Sequence, residues 1–158
     1  MSDIKVESIE IKRDCVHVVF LGLPNVPGVA AEVFRALAEH GVGVDMATQN
    51  TMRGGRSDLS FLIRRDRLDE VIPLCRQVSD KAGGQGVSFA TEVAVLSVLL
   101  GQSDAAAMSQ ALSRMFSALA GAGVNIEIIN SALASVVCLI SSTRAEEGFA
   151  ALKEAFKE

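Results

Sequence analysis

The sequence predicts an α+β fold built from two tandem copies of one strand–helix–strand–strand–helix unit. Three observations support this prediction. Residues 34–42 and 116–124 share six of nine amino acids at an offset of 82 positions. The patterns typical of strands and helices follow the same order around both segments. One further strand pattern, over residues 4–11, has no place in either copy in sequence order and is available to complete the second.

The first copy begins with an apolar strand pattern over residues 16–21, which Gly22 ends. Pro27 and Gly28 then open a helix whose apolar residues recur at helical spacing. The rest of this copy is predicted, in order, as strands over residues 44–50 and 58–63, a helix capped by Asp66, and a strand over residues 87–90. The second copy repeats the pattern over residues 93–100, 106–120, 125–130, 135–140 and 145–156.

The second copy ends on its last helix and lacks a fourth strand. Residues 4–11 alternate apolar and polar side chains, which is the period of a half-buried strand. We expect this N-terminal strand to cross over and complete the second copy. Each copy then becomes a ferredoxin-like βαββαβ unit, an antiparallel sheet with two helices on one face. The predicted units are residues 13–92 for the first, and residues 1–12 with 93–158 for the second.

Composition narrows the classes of function. The net charge is -4 with acidic and basic residues interspersed, whereas proteins that bind nucleic acid usually carry a basic stripe. Seven Phe, no Trp and no Tyr leave few rings on which bases could stack. No apolar run approaches the roughly 20 residues of a membrane helix, and the N-terminus has no signal-peptide pattern. We therefore expect a cytoplasmic protein that binds neither nucleic acid nor membrane.

Patterns for catalysis or metal binding are not found. The three cysteines, Cys15, Cys75 and Cys138, lie far apart in apolar stretches, so we expect buried, reduced thiols. His17 and His40 adjoin no nucleophile motif, and no cluster of ligand residues has metal spacing. The glycine pair of the first hairpin lacks the lysine of a phosphate-binding loop. We expect no catalytic residue, no metal and no cofactor.

The opening of the first helix has the chemistry of an amino-acid site. A helix N-terminus offers N–H groups and a favourable dipole to a carboxylate, and Gly28 lets a ligand approach the backbone closely. The ammonium group of an amino acid needs oxygen acceptors nearby. The candidate residues are Pro27, Gly28, Val29 and Ala30 for the carboxylate, and Asn25, Asp45, Gln49 and Asn50 as acceptors. The alternative is that Pro27 and Gly28 only start a helix while the polar residues face solvent.

Residues 18–34 resemble an ACT domain. Val44-Asp45-Met46-Ala47-Thr48-Gln49-Asn50, followed by Ser57-Asp58-Leu59-Ser60-Phe61, resembles the regulatory half of aspartokinases. Residues 125–129 are similar to the matching strand of that family's second ACT copy. The resemblance implies binding of lysine or threonine and feedback inhibition of aspartate phosphorylation. The resemblance adds Asn125 and Ile126 to the effector-binding candidates. It also implies that this chain corresponds to the regulatory half of an aspartokinase and lacks the kinase half.

Partners and alternatives follow from the same residues. Both faces of the strand over residues 16–21 are apolar, so we expect a homodimer. The resemblance implies threonine or lysine as effector and an aspartokinase catalytic chain or domain as a further partner. The family's Pro-Gly opening is replaced over residues 102–105, so we expect the effector at the first copy. Two alternatives are a stand-alone ACT regulator that senses another amino acid and a structural dimerisation module; a small phosphatase on the same fold ranks third.

Overall fold

The computed structural model describes residues 4–101 and 104–157 and confirms the predicted fold class. It contains two four-stranded antiparallel sheets, each with two helices. Residues Asp14–Thr91 form a first compact unit, and the rest of the described chain forms a second. Of the predicted ranges, residues 1–3, 102, 103 and 158 lie outside the described part.

The first unit has the sheet order β3-β4-β2-β5. Its strands are β2 (Cys15–Pro24), β3 (Asp45–Thr51), β4 (Arg56–Arg64) and β5 (Gly86–Ala90), and its helices are α1 (Val29–Glu39) and α2 (Leu68–Ala82). Alternate residues of β2 and β4 face the helices, as the period of two requires. Phe20 and Phe61 are fully buried there with Val33 and Leu37 of α1, so these side chains form the core.

Helix α2 begins later than the sequence predicts. A 3-10 turn, Arg65–Arg67, precedes it, and Arg67 stands at the cap position without a side-chain cap. The carboxylate of Asp66 instead pairs with Arg64 at 3.0 Å. The prediction that Asp66 caps this helix is wrong, because the 3-10 turn moves the start of α2 to Leu68.

Strand β2 does not end at Gly22 but continues through a bulge to Pro24. Phe20 pairs with Leu59 and Leu23 pairs with Ser57, so β2 has one residue more than β4 in this interval. Gly22 takes the left-handed backbone conformation, with φ 57°, which glycine adopts at low cost. The extra residue returns Leu23 to the helix side of the sheet, where it is only 2% exposed.

The second unit has the sheet order β1-β6-β8-β7. Its strands are β1 (Val6–Lys12), β6 (Val93–Leu100), β7 (Ile128–Ala132) and β8 (Ser135–Ser141), and its helices are α3 (Ala105–Gly121) and α4 (Ala145–Ala155). Strand β1 pairs antiparallel with β6, from Val6 opposite Leu100 to Lys12 opposite Val95. The predicted crossover of the N-terminal strand is therefore confirmed.

The three cysteines are buried, and His17 is half-buried. None of the three cysteines is in a disulfide, and burial raises the pKa of the Cys75 and Cys138 thiols to about 12. Burial also lowers the pKa of His17, whose Nε2 has no hydrogen-bond partner among the described residues. No group of three possible metal ligands occurs in the described part of the chain. None of the helices of residues 4–101 and 104–157 is long and apolar enough to span a membrane.

Candidate effector site

A pocket of about 350 Å³ lies at the opening of α1 in the first unit. Its volume is near the lower end of the roughly 300–1,000 Å³ of small-molecule sites, so it suits a small metabolite. The loop between β2 and α1 forms one wall, and β3 and β4 form the other. The lining residues are Leu23, Pro24, Asn25, Val26, Pro27, Gly28, Val29, Ala30, Gln49, Ser57 and Leu59.

The N-terminus of α1 faces this pocket without a side-chain cap. Gly28 is the cap residue, with φ 93°, and no side chain accepts a hydrogen bond from the first turn. A Cβ atom placed on Gly28 would meet no atom within 4 Å, so the backbone is open to an approaching group. The first N–H groups of a helix lack intrahelical partners and carry a partial positive charge. This end of α1 is therefore suited to a carboxylate.

Neutral polar groups from the adjacent strands complete the pocket. The Gln49 side chain donates from Nε2 to Oγ of the buried Ser57 at 3.2 Å, which orients the amide. The backbone N–H of Asn25 donates to the Gly55 carbonyl at 2.7 Å, which ties the loop to the β3–β4 turn. None of the lining residues is charged. The pocket can therefore offer amide oxygens to an ammonium or hydroxyl group, but no carboxylate.

Six of the sequence-predicted residues line the pocket: Asn25, Pro27, Gly28, Val29, Ala30 and Gln49. Asp45 and Asn50 do not line it. Asp45 accepts a hydrogen bond from the N–H of Met46 at 2.8 Å, where Met46 has a left-handed φ of 51°. Asn50 pairs with Asp58, and successive side chains of a strand point to opposite faces, so it lies on the face opposite Gln49.

Asn125 and Ile126 belong to the second unit and precede β7. Asn125 is exposed, while Ile126 packs against the core of that unit. The opening of α3 also differs from that of α1. Asp104 caps α3, and its Oδ1 accepts a hydrogen bond from the N–H of Ala107 at 2.8 Å. A carboxylate of the chain itself therefore occupies the helix opening of the second unit.

The sequence prediction missed the floor of the pocket. Leu23 and Leu59 supply apolar surface, and Ser57 anchors Gln49. The available signal was Gly22, because a glycine inside an apolar strand often marks a bulge rather than an end. A bulge at Gly22 would have moved Leu23 to the helix side of the sheet and into the site.

Comparison with known families and structures agrees with this architecture. Models of the ACT domain match residues 17–79 and residues 103–156, one in each unit. In an alignment of 161 positions, gaps included, the chain is 31% identical to the aspartokinase of Mycolicibacterium smegmatis. The alignment covers 99% of this chain and 37% of that protein. The chain spans about 38% of the length of the aspartokinase of Thermus thermophilus, to which it is 29% identical.

Solved structures match along nearly their whole length. The ligand-free regulatory subunit of aspartate kinase from Thermus thermophilus superimposes with a TM-score of 0.87 at 30% identity, covering 96% of this chain and 99% of that one. The aspartokinase alpha and beta subunit structure gives a TM-score of 0.85 at 26% identity, covering 96% and 98%. The catalytic region of the complete aspartokinases thus has no counterpart in these 158 residues. The chain contains two ACT domains and belongs to the family of aspartate kinase regulatory subunits.

Proposed function

We propose that the first unit binds a free amino acid at the opening of α1 and thereby controls feedback inhibition of an aspartate kinase. The observation on which this rests is the uncapped N-terminus of α1 at a small, uncharged pocket. The helix end holds the ligand carboxylate. The side-chain oxygens of Asn25 and Gln49 accept from its ammonium group, and Leu23 and Leu59 contact its apolar atoms.

Threonine fits this lining better than lysine does. The side-chain ammonium of lysine needs a carboxylate partner when it leaves water, and no residue of the lining supplies one. The hydroxyl and methyl groups of threonine match the amides and leucines that are present. Because an amino acid has few atoms, it can supply only limited binding energy. We therefore expect a Kd of roughly micromolar to millimolar, a binding free energy of about -8 to -4 kcal/mol. Lysine remains the competing effector.

The proposed partners are a second copy of the chain and an aspartokinase catalytic chain or domain. Val26 on the pocket wall is 56% exposed, and Leu21 and Met52 are 39% and 40% exposed. A homodimer that buries such side chains near the pocket would link effector binding to assembly. Three buried cysteines without a disulfide suit a reducing compartment, and we propose the cytoplasm.

Calorimetry on the intact chain with threonine and with lysine tests the effector assignment. We expect Gln49→Ala to weaken threonine binding at least fivefold, because the pocket loses an acceptor. Asn50→Ala is the matched control, since it removes the neighbouring amide from the opposite face of β3 and should leave the Kd unchanged. If neither amino acid binds at millimolar concentration, the assignment fails, and a screen of the other amino acids would test the alternative of a different ACT regulator.

Light scattering tests the proposed dimer separately. We expect twice the 16.7 kDa mass of one chain at micromolar concentration, with a larger dimer fraction when threonine is present. A species of 16.7 kDa under both conditions would rule the homodimer out.

A further inference from the structure

The bulge in β2 is held by two charged side chains of β4. The N–H of the buried Gly22 donates to Oδ1 of Asp58 at 2.9 Å. The carbonyl of Gly22 accepts from Nη1 of Arg56 at 2.8 Å. A bulge removes backbone groups from the ladder between strands, and buried backbone groups need partners. Asp58 and Arg56 replace the ladder partners that the bulge removes.

The same nitrogen of Arg56 also reaches the end of α2. Its Nη1 donates to the carbonyl of Gly83 at 2.7 Å, and Gly83 is the C-terminal cap of that helix. A cation is favoured at this end of a helix by the helix dipole. The turn after α2 packs closely on the end of β2, because a Cβ atom on Gly83 would lie 3.5 Å from Pro24, and one on Gly84 would lie 3.1 Å from Leu23.

We propose that Arg56 is the positioning residue of the effector pocket. Its Nη1 nitrogen donates to the carbonyls of both Gly22 and Gly83. Arg56 thereby holds the bulge and the segment over residues 23–28 against the end of α2. This inference rests on the proposed function, since it assigns a role in binding to a residue that does not touch the ligand.

The pocket depends on the bulge because a strand alternates its faces. If the same residues paired regularly with β4, without the bulge, Leu23 would lie on the opposite face of the sheet and leave the pocket floor. Arg56 therefore acts on the ligand through the placement of Leu23 and of the loop that follows it.

The second unit shows that the fold does not require this arrangement. Val136 pairs with Val98 as Leu59 pairs with Phe20. Counting back from Val136, Ser135 takes the place of Asp58, and Leu133, in the turn before β8, takes the place of Arg56. The pairing of β6 with β8 runs without a bulge from Val93 to Leu99. The charged pair and the bulge occur together in the unit that has the pocket.

The test replaces Arg56 in the intact chain and measures threonine binding by calorimetry. Arg56→Met keeps the apolar stem and removes the donors, so we expect at least a tenfold loss of affinity. Arg56→Lys can still donate to both carbonyls and should stay within threefold of the unaltered chain. Arg64→Met is the matched control, because Arg64 lies on the same strand and pairs with Asp66 away from the pocket.

Hydrogen exchange provides a second measurement that needs no ligand. The N–H of Asn25 bonds to Gly55 and the N–H of Gln85 bonds to Leu21, so both report on the loop and bulge. We expect Arg56→Met to accelerate exchange of these two amides at least tenfold while the β4 amide of Phe61 keeps its protection.

The outcomes are separable. Unchanged binding by Arg56→Met, or unchanged exchange at Asn25 and Gln85, overturns the positioning role. If the unaltered chain binds neither threonine nor lysine, the proposed function fails, and exchange alone then decides the role of Arg56. If Arg56→Met unfolds the whole first unit, Arg56 supports the fold rather than the pocket and the inference is wrong.

Discussion

The two units share one topology, but they differ at the opening of the helix that follows β2 or β6. In the first, β2 bulges at Gly22 and α1 begins at Gly28 without a side-chain cap. In the second, β6 pairs with β8 without a bulge, and Asp104 caps α3 with its own carboxylate. The comparison teaches that the βαββαβ fold does not itself create the pocket. The pocket lies where the bulge between β2 and β4 adjoins the uncapped opening of α1.

The two units also share a detail of their framework. Arg67 donates to the carbonyls of Gly41 and His40 at the end of α1, at 3.0 and 3.1 Å. Arg144 donates to the carbonyl of Ala122 at the end of α3, at 2.7 Å. Each arginine is the last residue of the 3-10 turn that follows β4 or β8, and each donates to a helix C-terminus. The repeat has kept the scaffold contacts and changed the helix openings.

The largest expected effect concerns the cores. Phe61 is fully buried, with its ring 6.0 Å from that of Phe20 and 5.8 Å from that of Phe34, whereas the matching position in the second unit is Cys138. Phe61→Ala should lower the free energy of unfolding by about 3–5 kcal/mol because it leaves a large cavity. Cys138→Ala removes one atom and should cost about 1 kcal/mol. Denaturant unfolding of both variants measures the difference, and equal costs would contradict the comparison.

A smaller effect is expected where α4 approaches its sheet. A Cβ atom on Gly148 would lie 3.0 Å from Leu96 and 3.2 Å from Ile140, while the matching residue of α2 is the buried Val71. Gly148→Val should therefore destabilise the second unit by about 1–3 kcal/mol through overpacking. Gly121→Val is the control, since Gly121 ends α3 and a Cβ there meets nothing within 4 Å. If the two variants unfold at the same denaturant concentration, α4 has room that the contacts do not indicate.

The smallest expected effect is a pH dependence confined to the first unit. His17 lies at the β2 position that Val95 takes in β6, and burial lowers the pKa of His17. The unfolded chain then binds more protons than the folded one below the ordinary histidine pKa, so stability falls as the pH drops through and below that value. His17→Val, which copies the second unit, should make the free energy of unfolding less dependent on pH between 7.5 and 5.5. A slope identical to that of the unaltered chain would show that His17 does not cause it.

The topology could be predicted from the repeat. The pocket residues could be predicted only in part, because the register of strand β3 decides which of its side chains face the pocket. Residues 34–42 and 116–124 fixed the element order, and the missing fourth strand led to β1. The assignment of Asn50 to the pocket depended on knowing which face β3 turns toward α1. That face is set by register, and an irregularity between Asp45 and Thr48 shifts it. Periodicity alone cannot locate such a shift, because one residue reverses every side chain of the strand.

The pairing of β1 with β6 has a consequence for synthesis. The ribosome produces β1 before the whole of Asp14–Thr91, and the partner strand β6 follows only after that unit. At about 5–20 residues per second, this delay is on the order of five to fifteen seconds, ample time for the first unit to fold. During this interval the alternating apolar side chains of β1 have no sheet to cover them. The nascent chain therefore exposes an unpaired, half-apolar strand, and chaperones are expected to bind it until β6 is available.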